Sequence, residues 1–387
     1  MSIDGCEYRP IKTSGKEDLT ANRSSEDFDF GDRLAEQLQG IIDIDVIYAS
    51  SSATIIKGQL IDDSVSGQAI LNSVLDRLPF KAEILSLSPK TILRFRNPAR
   101  PVLFRIPWLN LALFLLTLVS TIVVGSGFEQ INAFSNPRLI IDDPWRIIRA
   151  GVPFSFSLLG ILLFHEFGHY IVSRKHGVDV SLPYFIPAPT MIGTMGAVIR
   201  SKSPFITRKQ LFDVGAAGPI GGLIIAIPAI IWGLAHPRFI PEVQDLSGLV
   251  TLGDSLLFSL IDKLVAAEPP PGYIAVLHPV AFAGWVGLLV TMLNLLPIGQ
   301  LDGGHILYAM FGKLQHKIAL IAIAGLIMLS FFWTGWIVWA ILGTIMRPAH
   351  PPTVMDELSL DKKRKMLGYL CIVVFILCFI PAPITLN

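Results

Sequence analysis

Charge is scarce in this 387-residue chain: Asp, Glu, Lys and Arg make up 16% of it, against ~25% in soluble globular domains. Hydrophobic residues make up 52%, and the mean hydropathy is +0.59. An ordinary soluble protein is thereby excluded, and an integral membrane protein is expected. A net charge of +1 supplies no global field to attract nucleic acid, so no nucleic-acid partner is expected. Cysteine is equally sparse: Cys6, Cys371 and Cys378 form no Cys-x-x-Cys, which excludes a disulfide framework and a thiolate metal site. A basic, then apolar leader is missing too, because the first 40 residues are polar and charged.

What is present divides the chain into unequal parts. Residues 1–35 are rich in Ser, Asp, Glu, Lys and Gly without periodicity and read as a disordered tail. Residues 36–98 read as a small soluble cytoplasmic α+β domain. It has strand-like "IDVIYA" and "ATIIKGQLI", a helical "SGQAILNSVLDRL" opened by Ser66 as cap, and strand-like "KTILRFR". Nothing in it carries chemistry, and a docking or regulatory module is the default. Residues 99–387 are a transmembrane domain with its core at 150–310.

Apolar stretches near 103–125, 152–173, 211–234, 278–297 and 366–382 reach the ~20 residues that a crossing helix needs. Between 317 and 346 lies a thirty-residue apolar stretch broken around "FFWTGW", which leaves six or seven spans open. Arg94, Arg96, Arg100 and Arg105 precede the first span, and Arg174, Lys175, Arg200, Lys202, Arg208 and Lys209 crowd the loop after the second. The 235–277 loop holds only Arg238 and Lys263 against Glu242, Asp245, Asp254, Asp262 and Glu268. The positive-inside rule puts the N-terminus and the 174–210 loop in the cytoplasm. The run Lys362, Lys363, Arg364, Lys365 belongs there as well, which favours a double passage through 317–346 and seven spans. The expected fold is therefore a polytopic α-helical membrane protein with about six or seven transmembrane helices, a β-like segment near the active site and a small α+β N-terminal domain.

Within the second span, "FHEFGH" places His165, Glu166 and His169 where hydrocarbon penalises them. Residues four apart share a helix face, so both imidazoles can aim at one point. Glu166 can then reach a water held there without being a ligand. A zinc site with an attached base fits this spacing; a proton relay in a transporter is the competing use of the same groups.

A catalytic zinc takes three protein ligands and keeps a fourth position open. Asp302, in "NLLPIGQLDGGHIL", is the only acid between Glu268 and Asp356 and follows a helix break at Pro297 and Gly299. Counting crossings brings it to the cytoplasmic side with the histidines. His165 precedes Arg174 by nine residues, roughly 13 Å of helix, so the site lies within the bilayer nearer the cytoplasm. Asn294 offers an amide to the substrate backbone or a developing oxyanion, or else to a neighbouring helix. His305 is open between fourth ligand, outer partner and interfacial residue. His176, His236, His278, His316 and His350 fall in loops or at span ends and read as surface groups. In "GTMGAVIR", Gly193, Thr194 and Gly196 read as a strand with turn chemistry whose edge could hold an unwound peptide. Gly215, Ala216, Ala217, Gly218, Gly221 and Gly222 read as a packing surface for another helix.

His165-Glu166-x-x-His169, "AAGPIGG" at 216–222, and Asn294-x-x-Pro297-x-x-x-x-Asp302-Gly303 resemble the signature of the site-2 protease family of intramembrane zinc metallopeptidases. Within it, "GTMGAVIR", the long soluble N-terminal region and the lack of a PDZ-like insertion are similar to the cyanobacterial and chloroplast branch. The resemblance implies one Zn2+ per chain held by His165, His169 and Asp302, Glu166 as base, and Asn294 near the substrate. It also implies cleavage of single-span membrane proteins in the lipid bilayer, often ones that hold a regulator there. An acidic N-terminus does not read as a transit peptide, which favours a bacterial cytoplasmic or thylakoid membrane. Homodimerisation stays open. A silent zinc-binding chaperone or scaffold and a proton-coupled transporter are the alternatives; the first leaves Glu166 unexplained, and the second lacks an internal repeat.

Overall fold

Thr207 and Gln210 open the helix around which the rest of the chain packs. The Thr207 hydroxyl accepts from the Gln210 N–H, and the Gln210 side chain accepts in return from the Thr207 N–H, a reciprocal capping box. The computed structural model describes residues 7–10, 25–49, 53–96, 107–131, 136, 138–241 and 250–386. Cys6, Arg100, Arg105, Glu242 and Asp245 lie outside them.

The N-terminal portion holds β1 (Glu7–Pro10), α1 (Ser25–Leu38), β2 (Ile42–Ala49), β3 (Ala53–Leu60), α2 (Val65–Arg77), β4 (Ala82–Ser86) and β5 (Thr91–Arg96). The strands form one antiparallel sheet of order β1-β2-β3-β5-β4. β1 and α1 fall within or across the stretch expected to be a tail. Phe30, Leu34 and Leu38 recur every four residues and are buried with Ile47, Ile56 and Leu93, so a short apolar stripe under an acidic surface anchors α1. The cap of α2 is Ser64 rather than Ser66: its hydroxyl accepts from Gly67 N–H.

The apolar portion continues with α3 (Trp108–Ser126), the single turn α4 (Leu139–Asp142), α5 (Pro144–Lys175), the hairpin β6 (Tyr184–Pro187) and β7 (Thr194–Val198), and α6 (Arg208–Ala235). After it come β8 (Arg238–Pro241), β9 (Val250–Leu252), α7 (Leu256–Val265), β10 (Tyr273–Val276), α8 (Pro279–Asn294) and α9 (Asp302–Phe311). The chain closes with α10 (Leu314–Leu329), α11 (Gly335–Ile345), α12 (Lys362–Cys378) and β11 (Ile384–Leu386). By length and composition, α5, α6 and the continuous helical stretch Trp108–Glu129 are long and apolar enough to cross a membrane; α8, α10 and α11 are shorter apolar helices. α10 and α11 divide the thirty-residue stretch. With 16 and 11 residues they are about 24 and 17 Å long, each shorter than a ~30 Å hydrocarbon core.

α6 packs against α5, α8 and α9, and backbone contact is what this packing needs. A Cβ at Gly168 of α5 would meet the Ala217 carbonyl, and one at Gly221 of α6 the Phe164 carbonyl, so each glycine lets the two helices approach closely. α3 backs the hairpin: the Asn110 amide donates to the Leu182 and Pro183 carbonyls, and the Ser120 hydroxyl to that of Ala188.

Candidate metal centre

Three polar side chains converge where α5, α6 and α9 meet. His165 and His169 lie one turn apart on α5, and their Nε2 atoms are 3.2 Å apart. Asp302 stands at the first position of α9, reached by a turn from the end of α8. That turn needs glycine twice, since a Cβ at Gly303 would collide with the Leu295 carbonyl and one at Gly304 with that of Gly299. It brings Asp302 Oδ2 to 3.3 Å from His165 Nε2 and Oδ1 to 3.4 Å from His169 Nε2. His165, Glu166, His169 and Asp302 are 3, 7, 9 and 9% exposed, a concentration of buried polarity that packing alone would not assemble.

The orientation of His169 is fixed. Its Nδ1 lies 2.8 Å from the Val214 carbonyl of α6; a carbonyl only accepts, so Nδ1 carries the proton and Nε2 presents a lone pair to the centre. The Asn294 amide nitrogen, at the end of α8, is 3.0 Å from His165 Nε2.

These donors fit a small divalent ion. A tetrahedral zinc with arms of about 2.0–2.2 Å holds its ligand atoms about 3.3–3.6 Å apart. The three separations of 3.2, 3.3 and 3.4 Å lie close to that range, although the two carboxylate distances are to different oxygens. Asp302 Oδ2 is buried and has no hydrogen-bond partner, an arrangement that a cation relieves. Two imidazole nitrogens and one carboxylate are the donor set of an open catalytic zinc site. Among the described residues, His165, His169 and Asp302 form the one His, Cys, Asp and Glu group close enough for a shared ion.

The other candidate residues are distributed around this centre. Glu166 is buried beside the histidines and makes no ion pair among the described residues. Gly193, Thr194 and Gly196 sit on the β6–β7 hairpin, whose second strand also packs on α5. Gly193 and Gly196 adopt φ of +76° and +91°, the left-handed region that glycine enters without strain. The Thr194 hydroxyl is committed within the hairpin, donating to the Ile186 carbonyl. His305 is outside the ligand group: its Nδ1 is 2.7 Å from Nε2 of His350. His350 is buried rather than on the surface, because the chain after α11 folds back under α9. His176 is likewise engaged, 2.9 Å from Asp213.

In sequence the glycines of α6 read as packing residues; in the structure two of them also form a wall of the centre. A Cβ at Gly218 would collide with the His169 ring, and one at Gly222 would stand 3.3 Å from His165 Nδ1. Val214, whose carbonyl orients His169, carries no side-chain signal at all.

Residues 153–337 match the model of peptidase family M50. The chain is 29% identical over 295 residues to "Probable zinc metalloprotease EGY1, chloroplastic" of Arabidopsis thaliana, an alignment covering 70% of this chain and 52% of that protein. It is 32% identical over 226 residues to the protein of that name in Oryza sativa subsp. japonica, covering 53% and 38%. Against "Probable zinc metalloprotease EGY2, chloroplastic" of Arabidopsis thaliana the identity is 29% over 283 residues, covering 70% and 47%. The chain thus spans about half the length, or less, of these curated relatives. No solved structure matches it. The matched residues take in most of α5 and all of α6, α8 and α9, the helices that carry His165, His169, Asn294 and Asp302, so the similarity to peptidase family M50 falls on the part of the chain that holds the centre.

Proposed function

We propose that this protein is an intramembrane zinc metalloprotease that hydrolyses peptide bonds within or next to the transmembrane segments of single-span membrane proteins. The observation that carries the reading is the convergence of two imidazoles of α5 and a carboxylate of α9, with the Nε2 atoms 3.2 Å apart, a carboxylate oxygen 3.3 or 3.4 Å from each, and one of those oxygens without a hydrogen-bond partner. The family match and the relatives' printed names support it. His165, His169 and Asp302 would hold the ion, one per chain. When bound, zinc supplies Lewis-acid polarisation of water and of a carbonyl.

The chain's own residues do the rest. Glu166 accepts a proton from water as its oxygen attacks the peptide carbonyl carbon, then delivers that proton to the amine nitrogen as the C–N bond breaks. Asn294 offers its amide N–H to the carbonyl oxygen as negative charge develops there. The β6–β7 hairpin has a strand with a single partner, which suits an extended peptide laid along it; Gly193, Thr194 and Gly196 shape that strand. A peptide in a membrane helix hides its carbonyls in hydrogen bonds, so unwinding onto a strand edge is what exposes one to attack.

In this reading the membrane is a bacterial cytoplasmic or thylakoid one, crossed six or seven times, with the active site toward the cytoplasmic side, where Arg174, Lys175, Arg200 and Lys202 gather. Regulated intramembrane proteolysis is the corresponding role. The test uses purified full-length protein in liposomes with a single-span substrate. Cleavage should be lost with a zinc chelator, return with added zinc, and be absent from a Glu166→Gln variant that retains the metal. Cleavage by Glu166→Gln at the unaltered rate would overturn the mechanism, and zinc retention without any cleavage would leave a scaffold.

A further inference from the structure

The segment after α11 crosses beneath the Asp302 turn and grips it on both sides. Ahead of Asp302, the Pro348 carbonyl accepts from Gly299 N–H at 3.1 Å. Gln315, 1% exposed, donates to the carbonyls of Pro297 and Pro348 at 3.2 and 3.0 Å and accepts from His350 N–H at 3.1 Å. Beyond Asp302, His350 Nδ1 is 2.6 Å from the Pro351 carbonyl, so Nδ1 carries the proton. Nε2 therefore accepts from His305 Nδ1–H, 2.7 Å away. One turn further along α9, the Tyr308 hydroxyl donates to Asp356 Oδ1 at 3.1 Å.

Asp356 also ties this segment to α6. Arg208 meets it in a two-point pair, Nε to Oδ1 at 3.1 Å and Nη2 to Oδ2 at 2.9 Å. Backbone bonds from Val354 and Met355 to the carbonyls of Phe205 and Ile206 fix the segment just before that helix begins. α6 orients His169 through Val214 and α9 carries Asp302, so Asp356 joins the two elements that must agree for the donors to meet.

The outer side of the same segment is held by the N-terminal sheet. Val354 is buried among Tyr48, Ile55 and Ile92, with Ile206 and Met355 alongside. Lys57 of β3 donates to the Val354 carbonyl at 2.7 Å and pairs with Glu357 at 3.2 Å. Arg94 of β5 donates to the Gly177 carbonyl, just past α5, at 3.1 Å. The sheet therefore touches both the chain just past the helix of the histidines and the segment that holds Asp302.

We propose that residues 347–357 form a strap that sets Asp302 against His165 and His169, with Asp356 as its positioning residue and the N-terminal domain as the element that keeps the strap seated. This rests on the reading of the three residues as a metal site. Outer partners that orient metal ligands are worth about 10–100-fold in metal affinity. A release of the N-terminal sheet would therefore lower the occupancy of a site it does not touch, which assigns that domain a function.

The test measures zinc affinity by competition with a chromophoric chelator, together with kcat, KM and helical content, on the full chain in detergent. Asp356→Asn should bind zinc about ten-fold more weakly, with kcat reduced, KM unchanged and helical content kept, and Asp356→Glu should restore most of the affinity. Lys57→Met, placed in the soluble domain, should weaken affinity in the same direction by no more than about ten-fold. Both variants binding zinc as tightly as the unaltered protein overturns the proposal. If Asp356→Asn does not fold, Lys57→Met decides it: unaltered affinity there overturns the role of the N-terminal domain and with it the proposal. An unaltered protein that binds no zinc removes the metal-site reading itself, whereas zinc binding that the variants share in full removes only the strap.

Discussion

Gly218 of α6 and the imidazole of His169 occupy adjoining space so closely that a Cβ on Gly218 would land on Nε2, the atom that faces the centre. The clash falls on a ring held by its own hydrogen bond to Val214, so the ring cannot turn aside without losing its orientation. Gly218→Ala should therefore weaken metal binding by about 10–100-fold. Gly160→Ala, which meets only Ile225 at 3.9 Å, should leave it unchanged. Metal content after dialysis checks both; full zinc retention in Gly218→Ala would show that α6 is not the wall of the site.

Binding and chemistry should separate between Asp302 and Glu166. Removing the Asp302 carboxylate takes away one of three donors, so Asp302→Ala should be isolated with little zinc and no activity. Glu166→Gln keeps all three donors and removes only the proton acceptor, so zinc should stay near one per chain while kcat falls by about 10²–10⁴-fold. Elemental analysis alongside single-turnover cleavage separates the two. Equal zinc loss in both variants would make Glu166 a ligand rather than a base.

The positions of these donors were legible because their chemistry is costly in an apolar chain. His165, Glu166 and His169 interrupt a span, and Asp302 is the only acid in a long interval. The glycine wall was legible in principle: α5 and α6 run antiparallel, so histidines four apart meet glycines four apart, His169 with Gly218 and His165 with Gly222. What could not be read was contact through backbone atoms or across long separations. The Val214 carbonyl has no side-chain signature, and His350 looked like a loop residue because its partner His305 lies 45 positions away. The acidic composition of α1 hides it in the sequence, although Phe30, Leu34 and Leu38 supply the spacing of a buried face.

The Asp356 link gives the strap a pH dependence of definite sign. Burial opposes the Asp356 charge, but hydrogen bonds and charge from Arg208, with Tyr308 and Thr353, hold its carboxyl below the ordinary carboxylate value. A depressed folded-state pKa contributes stability above the unfolded value of ~3.9 and loses it as pH falls through the folded value. Protection of the Val354 and Met355 amides, corrected for intrinsic exchange, should be flat from about pH 5 to 8 and decline only in stronger acid. In Asp356→Asn the protection should already be reduced at neutral pH and that acid step should vanish. A midpoint near pH 6 to 7 would assign the transition to another group.

Substrate helicity should control the rate if the peptide reaches Glu166 as a strand. The β6–β7 hairpin presents exposed Met195 on a strand with one partner, and a peptide can pair there only after leaving its helix. Glycine disfavours helix by about 1 kcal/mol relative to alanine. Each Ala→Gly change beside the scissile bond should then raise kcat/KM up to about five-fold where unwinding precedes cleavage. The same change far along the substrate span should have little effect, since that turn stays helical. Measuring kcat/KM for paired Ala and Gly substrates decides the matter: rates indifferent to glycine near the bond would mean that the peptide is cut without first being drawn out along β7.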